Sequence, residues 1–223
     1  MATAGPMATP TDANILTLTQ WLSPAYPVGG FAYSHGLEAA IDGGTVANSR
    51  DTEAWISDVL EHGSGWNDAG FVVAAFNAHD KEELINVDIA ARAFCATSER
   101  LMETELLGQA FGNVTKGVWE LDLGQFTYPV SIGRAARLQN LPLLLTTKMF
   151  LQAFASNLVA CATRLVPLGQ TEAQRLIRQL TPLCAQIAER AKKASLDELS
   201  STAFLGDIAA MKHETQYSRI FRT

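Results

Sequence analysis

The sequence predicts an all-α protein, and three observations carry that prediction. Apolar residues recur three or four positions apart through most of the chain, the period of one helix face. The segments showing this period open on Ser, Thr, Asp or Asn and close near Gly or Pro, the residue types that start and stop helices. No pair of alternating segments is joined by hairpin-turn chemistry. The chain has 223 residues, 48% of them apolar, enough for one sizeable core in one domain or at most two. Charged residues make up 18%, below the usual share of about 25%, which favours extensive buried or partner-covered surface. The expected architecture is a single-domain multi-helix bundle with short loops over residues 12–223, preceded by a disordered tail over residues 1–11. That tail has neither a basic region nor an apolar run, so it does not read as a signal peptide.

Asp12 or Thr11 can cap a first helix carrying Ile15, Leu16, Leu18, Trp21 and Leu22, which must end before Pro24. Pro24 to Gly30 then reads as a rigid bend. Pro27 fixes its own φ and offers no donor, while Gly29 and Gly30 can take φ values that other residues avoid. A second helix is expected from Gly30 or Phe31 to Gly43-Gly44, with Phe31 and Leu37 packed inside. Ser49 to Thr52 offers the next cap, ahead of Trp55, Ile56, Val59 and Leu60. Further helices are expected from Asn67 or Asp68, from Lys81 or Asn86, and from Thr97 or Ser98. Residues 112–125 fit neither period and read as helical turn plus loop, and Pro129 suits N1 of the next helix.

Leu141 to Val166 is the most hydrophobic stretch. A membrane span needs about 20 mostly apolar residues, but Lys148, Gln152, Ser156 and Asn157 interrupt this one, so a buried central helix is expected. Thr171 can cap a following helix that Thr181-Pro182 restarts or kinks. A turn or helix over Ser195 to Phe204 and a last amphipathic piece with Ile208 and Met211 complete the series.

The chemistry-bearing residues are sparse. Cys95, Cys161 and Cys184 are far apart, odd in number and set in apolar helical patterns, as expected of reduced, buried thiols. His35, His62, His79 and His213 show no His-x-x-x-His spacing, so no metal site is expected from this chain alone, and no cofactor. His213 beside Glu214 could ligate a metal at a dimer axis, but the first reading is an ordinary polar helix residue. His35 and Glu38, one turn apart, suit an intrahelical hydrogen bond. Ser34 and His35 are adjacent and diverge on a helix, and Glu103 and Glu105 do not face each other, so no catalytic set can be assembled. The glycine pair lacks the following lysine of a phosphate loop. A net charge of −6 gives no reason to expect nucleic-acid binding.

Two stretches remain unexplained by packing alone. Tyr33, Ser34, His35 and Glu38 gather beside the rigid turn, where they suit a protein contact or a lined cavity. Lys212, His213, Glu214, Gln216, Tyr217, Arg219 and Arg222 interleave with Ile220 and Phe221 at the end of the sequence, a mixture enriched at interface hot spots.

The run Pro27-Val28-Gly29-Gly30-Phe31-Ala32-Tyr33-Ser34-His35-Gly36-Leu37-Glu38 resembles the N-terminal motif of the UreF family of urease accessory proteins. The run from Asn157 to Thr171 resembles its central block, and the run from Lys212 to Arg222 its C-terminal tail. Ala32 stands where serine is common and Lys212 where arginine is common; residues 46–125 carry little that matches. The resemblance implies a non-catalytic, cytoplasmic maturation factor, dimeric in its complex. With UreD (also called UreH) and the GTPase UreG, it would assist nickel insertion into apo-urease. It further implies that the tail meets UreD. The alternatives read from the residues themselves are a small all-α enzyme with a pocket at Pro27 to Glu38, using His35 or Glu38 as acid or base, and a generic helical adaptor.

Overall fold

The computed structural model describes residues 10–223, all-α among those residues. The expectation of a disordered tail falls on residues 1–11 and, apart from Pro10 and Thr11, lies outside the described residues. Thr11 caps α1 (Asp12–Trp21) through a capping box with Asn14. The chain then turns and enters α2 (Leu37–Asp42), α3 (Ser49–His62), α4 (Ser64–Asn77) and α5 (Lys81–Ala93). There follow α6 (Ser98–Trp119), α7 (Tyr128–Leu138), α8 (Leu143–Leu165), α9 (Gln170–Ala191) and α10 (Phe204–His213).

The boundaries follow local chemistry. Asn48 rather than Ser49 caps α3, accepting from the N–H groups of Arg50 at 2.9 Å and Asp51 at 3.1 Å. Asp80 caps α5 and Thr97 caps α6. α4 begins at Ser64, directly after Gly63, so the opening expected at Asn67 or Asp68 lies one turn too late. α6 runs on to Trp119 before the loop, and Pro129 is the second helical residue of α7. Thr171 caps nothing, because α9 already starts at Gln170 behind Gly169. Pro182 neither restarts nor ends α9. It lies on the exposed face, where water can serve the carbonyl that loses its donor.

α4 is the innermost element and packs on α3, α5, α7, α8 and α9. Its approach to α7 requires Gly133, where an added Cβ would stand 2.3 Å from the Val72 carbonyl oxygen. α8, long and apolar enough to cross a membrane by length and composition, supplies Phe150, Leu151, Ala155, Leu158 and Ala162 to the same core. It packs on α9, α4, α3 and α2 as the expected central helix.

The expected second helix is broken. Only a 3-10 turn spans Gly30–Ala32; Tyr33 is extended, and His35 (φ 53°) and Gly36 (φ 75°) are left-handed, so α2 starts only at Leu37. Two consecutive left-handed residues cannot continue a right-handed helix. The expected His35–Glu38 intrahelical bond therefore does not form. Gly36 is further required because a Cβ there would stand 2.7 Å from the backbone nitrogen of Ala210 on α10. Leu37 is buried as expected, whereas Phe31 is 59% exposed.

Candidate functional site

In the segment read as a bend, the left-handed corner falls at Gly29 (φ 84°) rather than Gly30, whose surroundings are open. Pro27 is exposed on the bend. Asn157 of α8 holds the turn from below, donating to the carbonyl of Gly30 at 2.8 Å and of Tyr33 at 3.3 Å. The peptide groups of the turn then meet the end of the chain. The backbone N–H of Arg222 donates to the Ala32 carbonyl at 2.8 Å, and that of Ser34 to the Thr223 carbonyl at 2.8 Å. The Ser34 hydroxyl donates to the same Thr223 oxygen. Residues 214–223 thus form a strap across the turn.

Glu38 is the anchor of that strap. Its side chain is 5% exposed and accepts from the backbone N–H of Ile220 at 2.7 Å and of Phe221 at 2.8 Å. His213, wholly buried at the end of α10, lies 3.2 Å from Glu38 through Nε2 and 2.8 Å from Glu99 of α6 through Nδ1. Arg219 donates to Glu99 and to the His213 carbonyl. Phe221 is buried with the Arg164 guanidinium over its ring. Glu214 accepts from the hydroxyl of Ser98 and the N–H groups of Ser98 and Glu99 at the start of α6; the Ser98 bond chiefly holds its carboxyl below the usual range.

A second charged layer lies beneath. His35 pairs through Nε2 with Glu103 at 3.0 Å, faces Ser64 at 3.4 Å through Nδ1 and packs edge-on against Phe154. Arg100 bridges Asp68 at 2.6 Å and Glu103 at 3.5 Å, and the Thr223 hydroxyl donates to Glu103. Burial alone would raise the Glu103 carboxyl, but His35 first and Arg100 next bring it below the ordinary value. For Asp68 burial wins over Arg100, and its carboxyl is raised. Tyr33 is buried, which pushes its phenol up against the opposing effect of Arg222. A cleft beside this layer is bordered by His35, Asn67, Asp68, Arg100, Asp207 and Thr223.

The residues singled out in the sequence therefore divide into two groups. Tyr33, Ser34, His35, Glu38, His213 and Phe221 are turned inward, and their polar atoms serve the turn, the strap and α6 rather than a free surface. Lys212, Glu214, Tyr217, Arg219, Ile220 and Arg222 are exposed, and Gln216 is half-buried. Phe221, grouped in the sequence with the exposed tail residues, is buried, because Glu38 fixes its backbone and the core takes its ring. Among the described residues no group of three or more His, Cys, Asp or Glu is arranged to hold a metal ion. The two carboxylates at His213 lie on opposite sides of its ring and do not converge. An acid–base role for His35 or Glu38 would first have to break these buried pairs.

Sequence reasoning missed the outward face. Phe204, Leu205, Ile208 and Met211 of α10 are exposed, close in sequence to fully exposed Tyr217 and to Ile220. The opposite, small-residue face of α10 is the packed one, with Gly206, Ala209 and Ala210 against α2 and α3. The signal lay in those small residues, which permit close helix approach while the large ones remain free. Sequence reasoning also passed over Asp68, Glu99 and Arg100, whose partners are distant in the chain.

The fold is thus an all-α domain with a turn and strap underneath and apolar side chains of α10 presented outward. A UreF family model matches residues 46–181. The chain is 60% identical to the urease accessory protein UreF of Ruegeria pomeroyi, over 97% of this chain and all of that protein. It is 50% identical to UreF of Roseobacter denitrificans, over 96% and 95% of the two chains. It is 40% identical to UreF of Rhodopseudomonas palustris (strain HaA2), over 100% and 99%. The chain belongs to the UreF family of urease accessory proteins, maturation factors and not catalytic enzymes. The matched region includes the middle segment that carried no recognisable motif.

Proposed function

We propose that this chain is a cytoplasmic, non-catalytic docking factor for urease metallocentre assembly. It holds UreD (UreH), recruits the GTPase UreG and delivers the assembly to the urease apoprotein, where nickel is inserted. It acts as one all-α domain over residues 12–223, as a homodimer within the complex, and it uses no cofactor, nucleic acid or membrane.

The observation that carries this reading is an exposed aromatic and aliphatic surface on a locked scaffold. Phe31 projects from a turn fixed by Asn157 and the strap, and α10 exposes Phe204, Leu205, Ile208 and Met211. Exposed aromatic anchors that need little ordering on binding lose less entropy when they dock. The charged residues Lys212, Arg219 and Arg222 are exposed and interleave in sequence with the apolar ones, the residue types of a polar rim at an interface. UreD is assigned to the Phe31–α10–tail surface on the family resemblance of the tail. Nickel in this reading is cargo handled by the assembly, since His35 and His213 are engaged with buried carboxylates and no described group of three or more His, Cys, Asp or Glu is arranged to hold a metal ion.

Co-expression with UreD, UreG and urease subunits tests the reading. Copurification of UreD and UreG with the wild-type chain, together with nickel-dependent urease activation, is the expected result. Activation that persists without this chain, or a chain that retains neither partner, would overturn it.

A further inference from the structure

We propose that the strap over residues 214–223 is a proton-dependent clasp, closed when one proton is shared among His213, Glu38 and Glu99 and weakened when that proton leaves. Both ring nitrogens of His213 face carboxylate oxygens, at 3.2 Å and 2.8 Å. An ionised carboxylate only accepts, and a neutral imidazole has one donor. Both contacts can be hydrogen bonds only if the trio holds one proton beyond a neutral ring and two carboxylates. With that proton the charges of Glu38, Glu99, His213 and exposed Arg219 balance to zero; without it, a lone pair of the buried ring faces a carboxylate and one negative charge beside it is uncompensated.

The surrounding charges leave no substitute for the proton. From α2 the ring faces Glu38; from α6 it faces Glu99; from the strap, Arg219 is already engaged with Glu99 and the His213 carbonyl. Farther along α6, Arg100 is paired with Asp68 and Glu103, and Glu103 with His35 of the turn. On its own element and beyond, Lys212 is exposed and Glu214 is bound to Ser98. Arg164 of α8 lies over Phe221. Closure reaches the strap through Glu38, because the carboxylate that meets His213 also receives the Ile220 and Phe221 amides. Closing takes up a proton, so the closed fraction falls as pH rises.

Amide exchange of Ile220 and Phe221 in the full-length chain, followed by NMR across pH and corrected for intrinsic exchange, tests the clasp. Protection should fall about 10- to 150-fold between mildly acidic and alkaline pH, the factor implied by losing one charge-assisted hydrogen bond. In His213→Gln the neutral amide cannot titrate, and that pH dependence should vanish. Should His213→Gln not fold, Glu99→Gln serves: its amide can meet either form of the ring, so the alkaline loss of protection should again disappear. Protection that stays flat across that pH range, or keeps the wild-type dependence in the folded variant, would overturn the proposal.

Discussion

Glu38→Gln is the substitution that best separates a strap held by charge from one held by shape. The variant keeps the side-chain volume and changes only the second oxygen and the charge. One carboxylate oxygen receives Ile220; the other receives Phe221 and lies against His213. Glutamine offers a single acceptor, so its NH2 must face either the Ile220 N–H or the pair of other donors. The smaller loss is one charge-assisted hydrogen bond, about 1.5–3 kcal/mol, to which the opposed donors add about 1–3 kcal/mol of unmet desolvation. The whole-chain measurement cannot register more than the free energy needed to open the strap locally, after which the lesion is exposed to water. Urea unfolding should therefore show a lowered midpoint with an unchanged slope. Trypsin should cut after Arg219 or Lys212 in the variant while leaving the wild type intact on the same timescale. A midpoint equal to wild type together with an uncut strap would refute the claim that Glu38 anchors the tail.

Further substitutions, and a change of pH, probe the remaining contacts. Gly36→Ala should destabilise by more than about 1 kcal/mol in urea unfolding, because it combines a left-handed backbone with a 2.7 Å approach to Ala210, whereas Gly30→Ala should be nearly neutral. Phe31→Ala should leave the unfolding midpoint unchanged yet reduce UreD retention in copurification, since the ring is largely in solvent. Arg100→Met should lower stability by about 3–5 kcal/mol by leaving Asp68 and Glu103 buried without their shared cation. On acidification, the lowered Glu103 carboxyl contributes stability that is present above its unfolded-state value and lost as pH falls through the folded one; raised Asp68 acts in the opposite sense. Urea midpoints measured against pH should thus lose part of their acid decline in Glu103→Gln.

Legibility in the sequence followed the range of the interactions. Thr97 capping α6 and the stop before Pro24 are decided within a few residues, and both could be read directly. The break at His35-Gly36 could not, because a left-handed histidine leaves no mark on the apolar period. That conformation is held by partners far along the chain: Glu103 and Ser64 at the ring, and α10 over Gly36. The same holds for Glu38 and His213, which are 175 positions apart. Polar residues grouped in sequence look alike whether they will face a partner or one another. On α10 the error reversed a face: Ile208 and Met211 looked like the buried stripe, yet Ala209 and His213 are buried, because close packing against Gly36 favours small residues.

This division changes what a loss of function at the turn would mean. Ser34, His35 and Glu38 touch the strap and α6, so replacing any of them alters the position of Phe31 and Ile220 without removing a side chain from the outer surface. Weakened partner retention in such a variant would not by itself place the residue at the interface. A double-mutant cycle distinguishes the cases. If Ser34 acts only by holding the strap, Ser34→Ala and truncation of Thr223 should be strongly non-additive in stability, because both remove the same hydrogen bond. Phe31→Ala should then reduce partner retention without changing that coupling. Coupling between Ser34 and Thr223 that is absent in the free protein would show instead that the strap is assembled only when a partner is bound.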